Sequence, residues 1–257
     1  MQNGRSANGD AKRLAILALV ALSSLVAGCA SDEPTDDAVV EAKPAAVRGR
    51  VRIFGPPGGP LAGAEVHVLE RPQMRTVTDA KGRFEFASVR PGDVTLVMVA
   101  DTFHENQLGT HTLAGEPLEG MDFQAVSDGV FAVFASLAKA DPDPTRCQVS
   151  TTVTRFFEGK VPKVHGEPGA TATITPALPA THGPVYFNEA VLPTPGVTET
   201  SVDGGVVWTN VPPGDYTLRA DKPGVAFEHV RIKCRPNVLV NAAPARGLQA
   251  LNPGSGY

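Results

Sequence analysis

The same run of strand and turn signals occurs twice in this sequence, and that duplication constrains the fold more than any other feature. In the first half, Gly63-Ala64-Glu65-Val66-His67-Val68 alternates, with Ala64, Val66 and Val68 on one face, the period-two signature of a half-buried strand. Thr76-Val77-Thr78 leads into Asp79-Ala80-Lys81-Gly82, a hairpin turn in which Gly82 takes positive φ without steric cost. Phe84 and Phe86 return on one face, Val89-Arg90-Pro91-Gly92 turns again, and Val94 to Val99 is an apolar strand. In the second half, Gly169-Ala170-Thr171-Ala172-Thr173-Ile174, Asp203-Gly204-Gly205, Val206 with Trp208, Val211-Pro212-Pro213-Gly214-Asp215 and Tyr216-Thr217-Leu218-Arg219 follow in the same order. The offset is roughly 105–125 residues, the size of a domain rather than of a solenoid unit. An insertion, Pro176 to Pro195, separates matched strands of the second copy.

Strands also open both copies. Val47, Val51 and Ile53 share one face with Gly49, while Arg48, Arg50 and Arg52 share the other; Cys147 to Thr154 alternates likewise. Between the copies, Val130, Phe131, Val133, Phe134 and Leu137 recur at helical spacing. Ser127 is placed to cap this helix and Asp141-Pro142-Asp143-Pro144 to block it, so a single short helix is expected from Ser127 to Lys139, on a sheet or over an edge between modules. The 26 Gly and 23 Pro, with only 6% aromatic residues, suit many short strands and argue against a helical bundle.

Three segments carry a family resemblance: G-x-P-L-A-G-A-x-V, T-D-x-x-G-x-F-x-F and V-x-P-G-x-x-T-L, spread over Val47 to Val99 and more loosely over Gly166 to Val230. They resemble the carboxypeptidase regulatory-like domain. The resemblance implies a transthyretin-like β-sandwich and an accessory, non-catalytic role. The expected fold is therefore all-β, two transthyretin-like or Ig-like β-sandwich modules with one short helix between them. The expected boundaries are a signal peptide at 1–28, an acidic tether at 29–46, modules at 47–125 and 147–245 separated by a helix and linker at 126–146, and a tail at 246–257.

The N-terminus reads as an address. Arg5, Lys12 and Arg13 precede an uncharged apolar run from Leu14 to Val26, too short for a membrane span, and Val26-Ala27-Gly28-Cys29 resembles a bacterial lipobox. Lipidation is expected at Cys29; ordinary secretion is the alternative. Residues 30–46 are acidic and poor in large apolar groups, a flexible tether. Ala30 and Ser31 lack the aspartate signal for inner-membrane retention, which favours the outer membrane of the envelope. Cys147 and Cys234 are then the remaining thiols, and an oxidising compartment favours their disulfide over two separate buried thiols. The formal net charge of −4, without a basic cluster in the mature part, gives no footprint for nucleic acid.

Catalytic signatures are weak. His67-Val68-Leu69-Glu70 spells H-x-x-E, but inside a strand, where residues three apart face opposite ways. An iron site of the intradiol dioxygenase kind would need a tyrosine and histidine set. Tyr186, Tyr216 and Tyr257 come with no H-x-H pair. No G-x-S-x-G elbow occurs. Asp79 and Asp203 precede glycine turns, where carboxylates accept backbone N–H groups. His104 and His111, in the polar stretch Phe103 to Thr112, are the candidate ligand-binding residues, against the plainer reading of an exposed hairpin. No catalytic residue, metal or cofactor is expected. The sequence points to a lipid-anchored binding or scaffold protein with an envelope protein or glycan partner. The alternative is a small-molecule, glycan or metal binder using His104 and His111 or the insertion.

Overall fold

The computed structural model describes residues 42–55, 58–159, 165–243 and 247–253. The signal segment, Cys29, most of the tether, and Tyr257 with the end of the tail lie outside these residues. Among the described residues no helix is long and apolar enough to cross a membrane.

The first half comprises β1 (Ala45–Ile53), β2 (Glu65–Val68), β3 (Arg71–Val77), β4 (Arg83–Val89), β5 (Gly92–Val99), β6 (Asn106–Leu113) and β7 (Phe123–Ala125), followed by α1 (Asp128–Leu137). The second comprises β8 (Cys147–Thr154), β9 (Thr171–Thr175), β10 (Val185–Tyr186), β11 (Gly205–Val211), β12 (Gly214–Asp221), β13 (Val230–Cys234), β14 (Leu239–Asn241) and β15 (Leu248–Gln249). The chain is thus all-β apart from α1 and a 3-10 turn at Ala180–His182, among the described residues. β1 starts at Ala45, two residues inside the expected tether, because Ala45 pairs with Val89 and buries its methyl group.

Each half is a sandwich built on the same pairing scheme. In the first, β1 pairs with β4 and, in parallel, with β7, while β5 pairs with β2 and β6. In the second, β8 pairs with β11 and, in parallel, with β15, while β12 pairs with β9 and β13. The sequence repeat therefore survives as a repeat of register. Gly82 and Gly204 occupy matching places with φ of +69° and +78°; a Cβ on either would collide with a carbonyl oxygen, of Val51 and Val153 respectively. The turn acids behave as expected. Asp79 Oδ1 accepts from the N–H groups of Lys81 and Arg83, each at 2.8 Å, and Asp203 Oδ2 from Gly205 at 3.1 Å.

Two apolar clusters fill the sandwiches. Val47, Val66, Phe84, Phe86, Leu96 and Phe123 belong to the first; Val149, Ile174, Val206, Trp208, Leu218 and Ile232 to the second. Tyr186 and Tyr216 are core residues of the second cluster, not ligands: the Tyr186 hydroxyl accepts from Ala172 N–H and the Tyr216 hydroxyl donates to Pro212 O. A disulfide joins Cys147 at the start of β8 to Cys234 at the end of β13, with Cα atoms 5.6 Å apart. The helix is shorter than expected. Ser127 Oγ accepts from Val130 N–H at 3.3 Å, but Lys139 already turns left-handed at φ 56°, before the Asp-Pro run.

Two segments differ from their sequence readings. Phe103 to Thr112 is not an exposed hairpin, since most of it is β6, a strand with neighbours on both edges. Distant groups engage its buried amides: Asn106 Nδ2 donates to Gln124 O at 2.8 Å, though its Oδ1 is buried without a partner among the described residues, and Gln107 donates to Lys233 O while accepting from Arg235 Nε at 2.8 Å. The insertion Pro176 to Pro195 is not wholly irregular, because β10 within it adds to β11 and buries Tyr186 and Phe187.

Candidate functional site

The described residues fall within one compact unit, because strands run across the boundary expected between the modules. One edge of β6 is held by β5. The other is shared: β14 takes Asn106 and Gln107, and β13 meets Thr110 through Arg231. β14 also lies parallel to β8, so both sheets of the second sandwich reach the first through β6.

Charge fixes this seam. Arg231, Lys233 and Arg235 alternate along and just beyond β13, and period two puts them on one face. Each meets an acid of the first half. Arg231 forks onto Asp93 at 2.8 and 3.2 Å, Lys233 Nζ reaches Glu70 Oε1 at 2.7 Å, and Arg235 Nη2 reaches Glu105 Oε1 at 2.6 Å. Glu70 is the most enclosed of the three acids. Burial alone would raise its carboxyl. The Lys233 ammonium, with Thr95 donating from Oγ1 at 2.7 Å and from N–H at 2.9 Å, outweighs this and holds it below the ordinary value. The Arg231 guanidinium likewise holds Asp93 low. Partly exposed pairs of this kind are worth at most about 1 kcal/mol each. Their placement sets register rather than supplying bulk stability.

The second feature is a cavity of about 340 Å³ between α1 and the outer face of β8, β11 and β14. Ser150, Val207 and Asn241 stand on its floor, while Val149, Val206 and Trp208, pointing the other way, belong to the core. Phe131, Phe134 and Ala135 of α1 form the roof, and Phe54, Phe187 and Pro193 the wall. The Phe134 ring meets Phe54 edge-on at 5.6 Å and Phe187 at 5.7 Å, so the helix is clipped to both halves of the molecule. No residue of α1 is fully buried. Burial pushes the carboxyl of Asp203, one of the lining residues, upward.

The two candidate histidines are not brought together. His104 precedes β6 and stacks on Phe131, centroids 3.8 Å apart, with Nδ1 3.7 Å from Asp128. His111 lies farther along β6, opposite Val94, beside a hollow of about 230 Å³ shared with Glu228 and His229. At about 3.3 Å per residue their Cα atoms are separated by roughly 20 Å. Burial lowers both imidazoles, and Arg231 adds to the effect at His111. The two therefore lie in separate surroundings and do not form one ligand set. His67 and Glu70 do not share a ligand either, since Glu70 is engaged by Thr95 and Lys233. Among the described residues no group of three or more His, Cys, Asp or Glu could hold a metal ion. The sequence reading missed the phenylalanine wall and the basic row of β13. The alternation in Val230-Arg231-Ile232-Lys233-Cys234-Arg235 was the available signal for the latter.

Residues 46–126, spanning β1 to β7, match the model of the carboxypeptidase regulatory-like domain. The second half lies outside the match. No curated protein matches the chain. Similar solved structures include the Bacillus anthracis TIE protein, at 14% identity and a TM-score of 0.26, covering 81% of this chain and 34% of that one. This chain thus spans about a third of that relative's length. The minor pilin of Streptococcus agalactiae is 9% identical, with a TM-score of 0.26 and coverage of 80% and 95%. A streptococcal ancillary pilin is 10% identical, with a TM-score of 0.25 and coverage of 81% and 69%.

Proposed function

We propose that this chain is a non-catalytic scaffold of the bacterial envelope, anchored by lipid on Cys29 and holding two carboxypeptidase regulatory-like modules as one stiff body for an envelope protein or glycan partner. The observation that carries this reading is the seam. A shared sheet with three cross-paired basic residues fixes the two halves relative to each other, as presenting one continuous surface to a partner requires. The domain at residues 46–126 is of an accessory type, and the repeated register supports reading the second half as another copy. The lipobox-like Val26-Ala27-Gly28-Cys29 and the acidic tether support an outer-membrane anchor. The test is fractionation of cells expressing the parent or Cys29→Ser. The parent should enter the detergent phase with an acyl mass on its N-terminus, and the variant should be released or stall unprocessed. A serine variant held as tightly as the parent contradicts the anchor. Recovery of the same envelope partner by the detergent-extracted parent and by the released variant supports the scaffold.

A further inference from the structure

We propose that the cavity beneath α1 is a binding site for a small arylalkyl amine, its apolar body against the phenylalanine wall and its ammonium group at Asp203. The inference does not rest on the lipid anchor or on the scaffold reading. The volume, about 340 Å³, lies at the small end of known ligand sites. The lining is mostly apolar, with isolated polar groups on the floor, a pattern typical of sites that enclose a ring and orient one functional group.

Charge narrows the class. Among the described residues no Lys or Arg lines this cavity, so nothing there offsets a carboxylate or phosphate. Asp203 is the acid present, and His165 is the other titratable group at the cavity. The acid and the aromatic wall converge over Gly205, where a Cβ would lie 2.6 Å from Asp203 Oδ2 and 2.7 Å from the Phe187 ring. Only glycine lets a carboxylate and a phenyl ring meet there. Asp203 Oδ2 is steadied by Gly205 N–H at 3.1 Å, which leaves Oδ1 for a ligand. A carboxylate beside an aromatic ring attracts a cation through both charge and the ring quadrupole. Burial raises the Asp203 carboxyl by disfavouring its charged form, and a positive partner offsets that cost.

The roof admits such a guest. α1 is held by edge-to-face rings at 5.6 and 5.7 Å and by the Phe131–His104 stack at 3.8 Å, none of them part of the two core clusters, and buries none of its residues fully, so it can lift without opening either core.

The test is titration calorimetry on the full-length protein with two isosteric probes, phenethylammonium and 3-phenylpropionate, near neutral pH. The cation should bind at least about tenfold more tightly than the anion. Asp203→Asn, which keeps the acceptor for Gly205 N–H, should bring the two within about twofold. Ala135→Phe, which fills the roof, should abolish binding of both. Equal or tighter binding of the anion, no binding of the cation to the parent, or unchanged binding to Ala135→Phe would each overturn the proposal.

Discussion

Lys233 Nζ and Glu70 Oε1 lie 2.7 Å apart although 163 residues separate them in the chain. Glu70 sits in the turn between β2 and β3 of the first sandwich, and Lys233 on β13 of the second. Removing the ammonium leaves a half-buried carboxylate with only Thr95 as partner. Lys233→Met should therefore cost about 1–2 kcal/mol, more than the net worth of the pair, because the remaining charge is stranded. Glu70→Gln in the same background should restore part of the loss. Urea titrations of the two single variants and the double variant measure the coupling. A coupling of zero would show that the contact is incidental.

The seam should also make the protein acid-sensitive. Glu70 and Asp93 titrate below their ordinary values of 4.5 and 3.8, so the unfolded chain binds more protons than the folded one in that range. Their contribution is complete above those ordinary values and is lost as pH falls through the lowered ones. Stability measured from neutral pH down to about pH 2 should fall most steeply below about pH 4.5, and Glu70→Gln should flatten that limb.

Asp203 has the opposite sign. Its carboxyl is raised by burial, so the folded protein holds the proton more tightly and the charged form is the costly one. Without ligand, Asp203→Asn should leave the unfolding midpoint at neutral pH unchanged or slightly higher. A clear loss of stability would mean that the turn needs the charge and not merely the acceptor.

The Cys147–Cys234 bridge closes a separation of 87 residues, for which the chain-entropy account gives about 4–5 kcal/mol. The double serine variant should lose stability on that scale in the second sandwich, read by the single Trp208 in its core. Two alkylatable thiols in the unreduced parent would contradict the bridge.

Phe134 is the clip of α1. Phe134→Ala removes edge-to-face contacts with Phe54 and Phe187, each worth about 0.5–1.5 kcal/mol. Amide exchange should accelerate in residues 128–137, with little change in either core. Uniform acceleration throughout the molecule would mean that the helix is integral to the fold rather than a lid.

What the sequence reveals and what it hides have distinct physical origins. Period-two alternation, the turns at Gly82 and Gly204, the Ser127 cap and the two cysteines are local or pairwise signals, and each is legible from residue type and spacing. β6 is not legible, because Asn106 and Gln107 look solvated until partners near Gln124, Lys233 and Arg235 are supplied. The basic row on β13 reads as an exposed charged face, since Asp93 stands 138 residues from Arg231. The cavity is hidden for the same reason. Its phenylalanines come from three separated stretches: Phe54 after β1, Phe131 and Phe134 on α1, and Phe187 in the insertion.

The central claim is that two repeated sandwiches behave as one body because β6 is shared. Differential scanning calorimetry of the protein tests it most directly. One transition, with calorimetric and van't Hoff enthalpies equal, is the expected result, because neither half can unfold without exposing an edge of the other. Two separable transitions in the parent, or a Lys233→Met variant whose halves melt as the parent's do, would contradict the account.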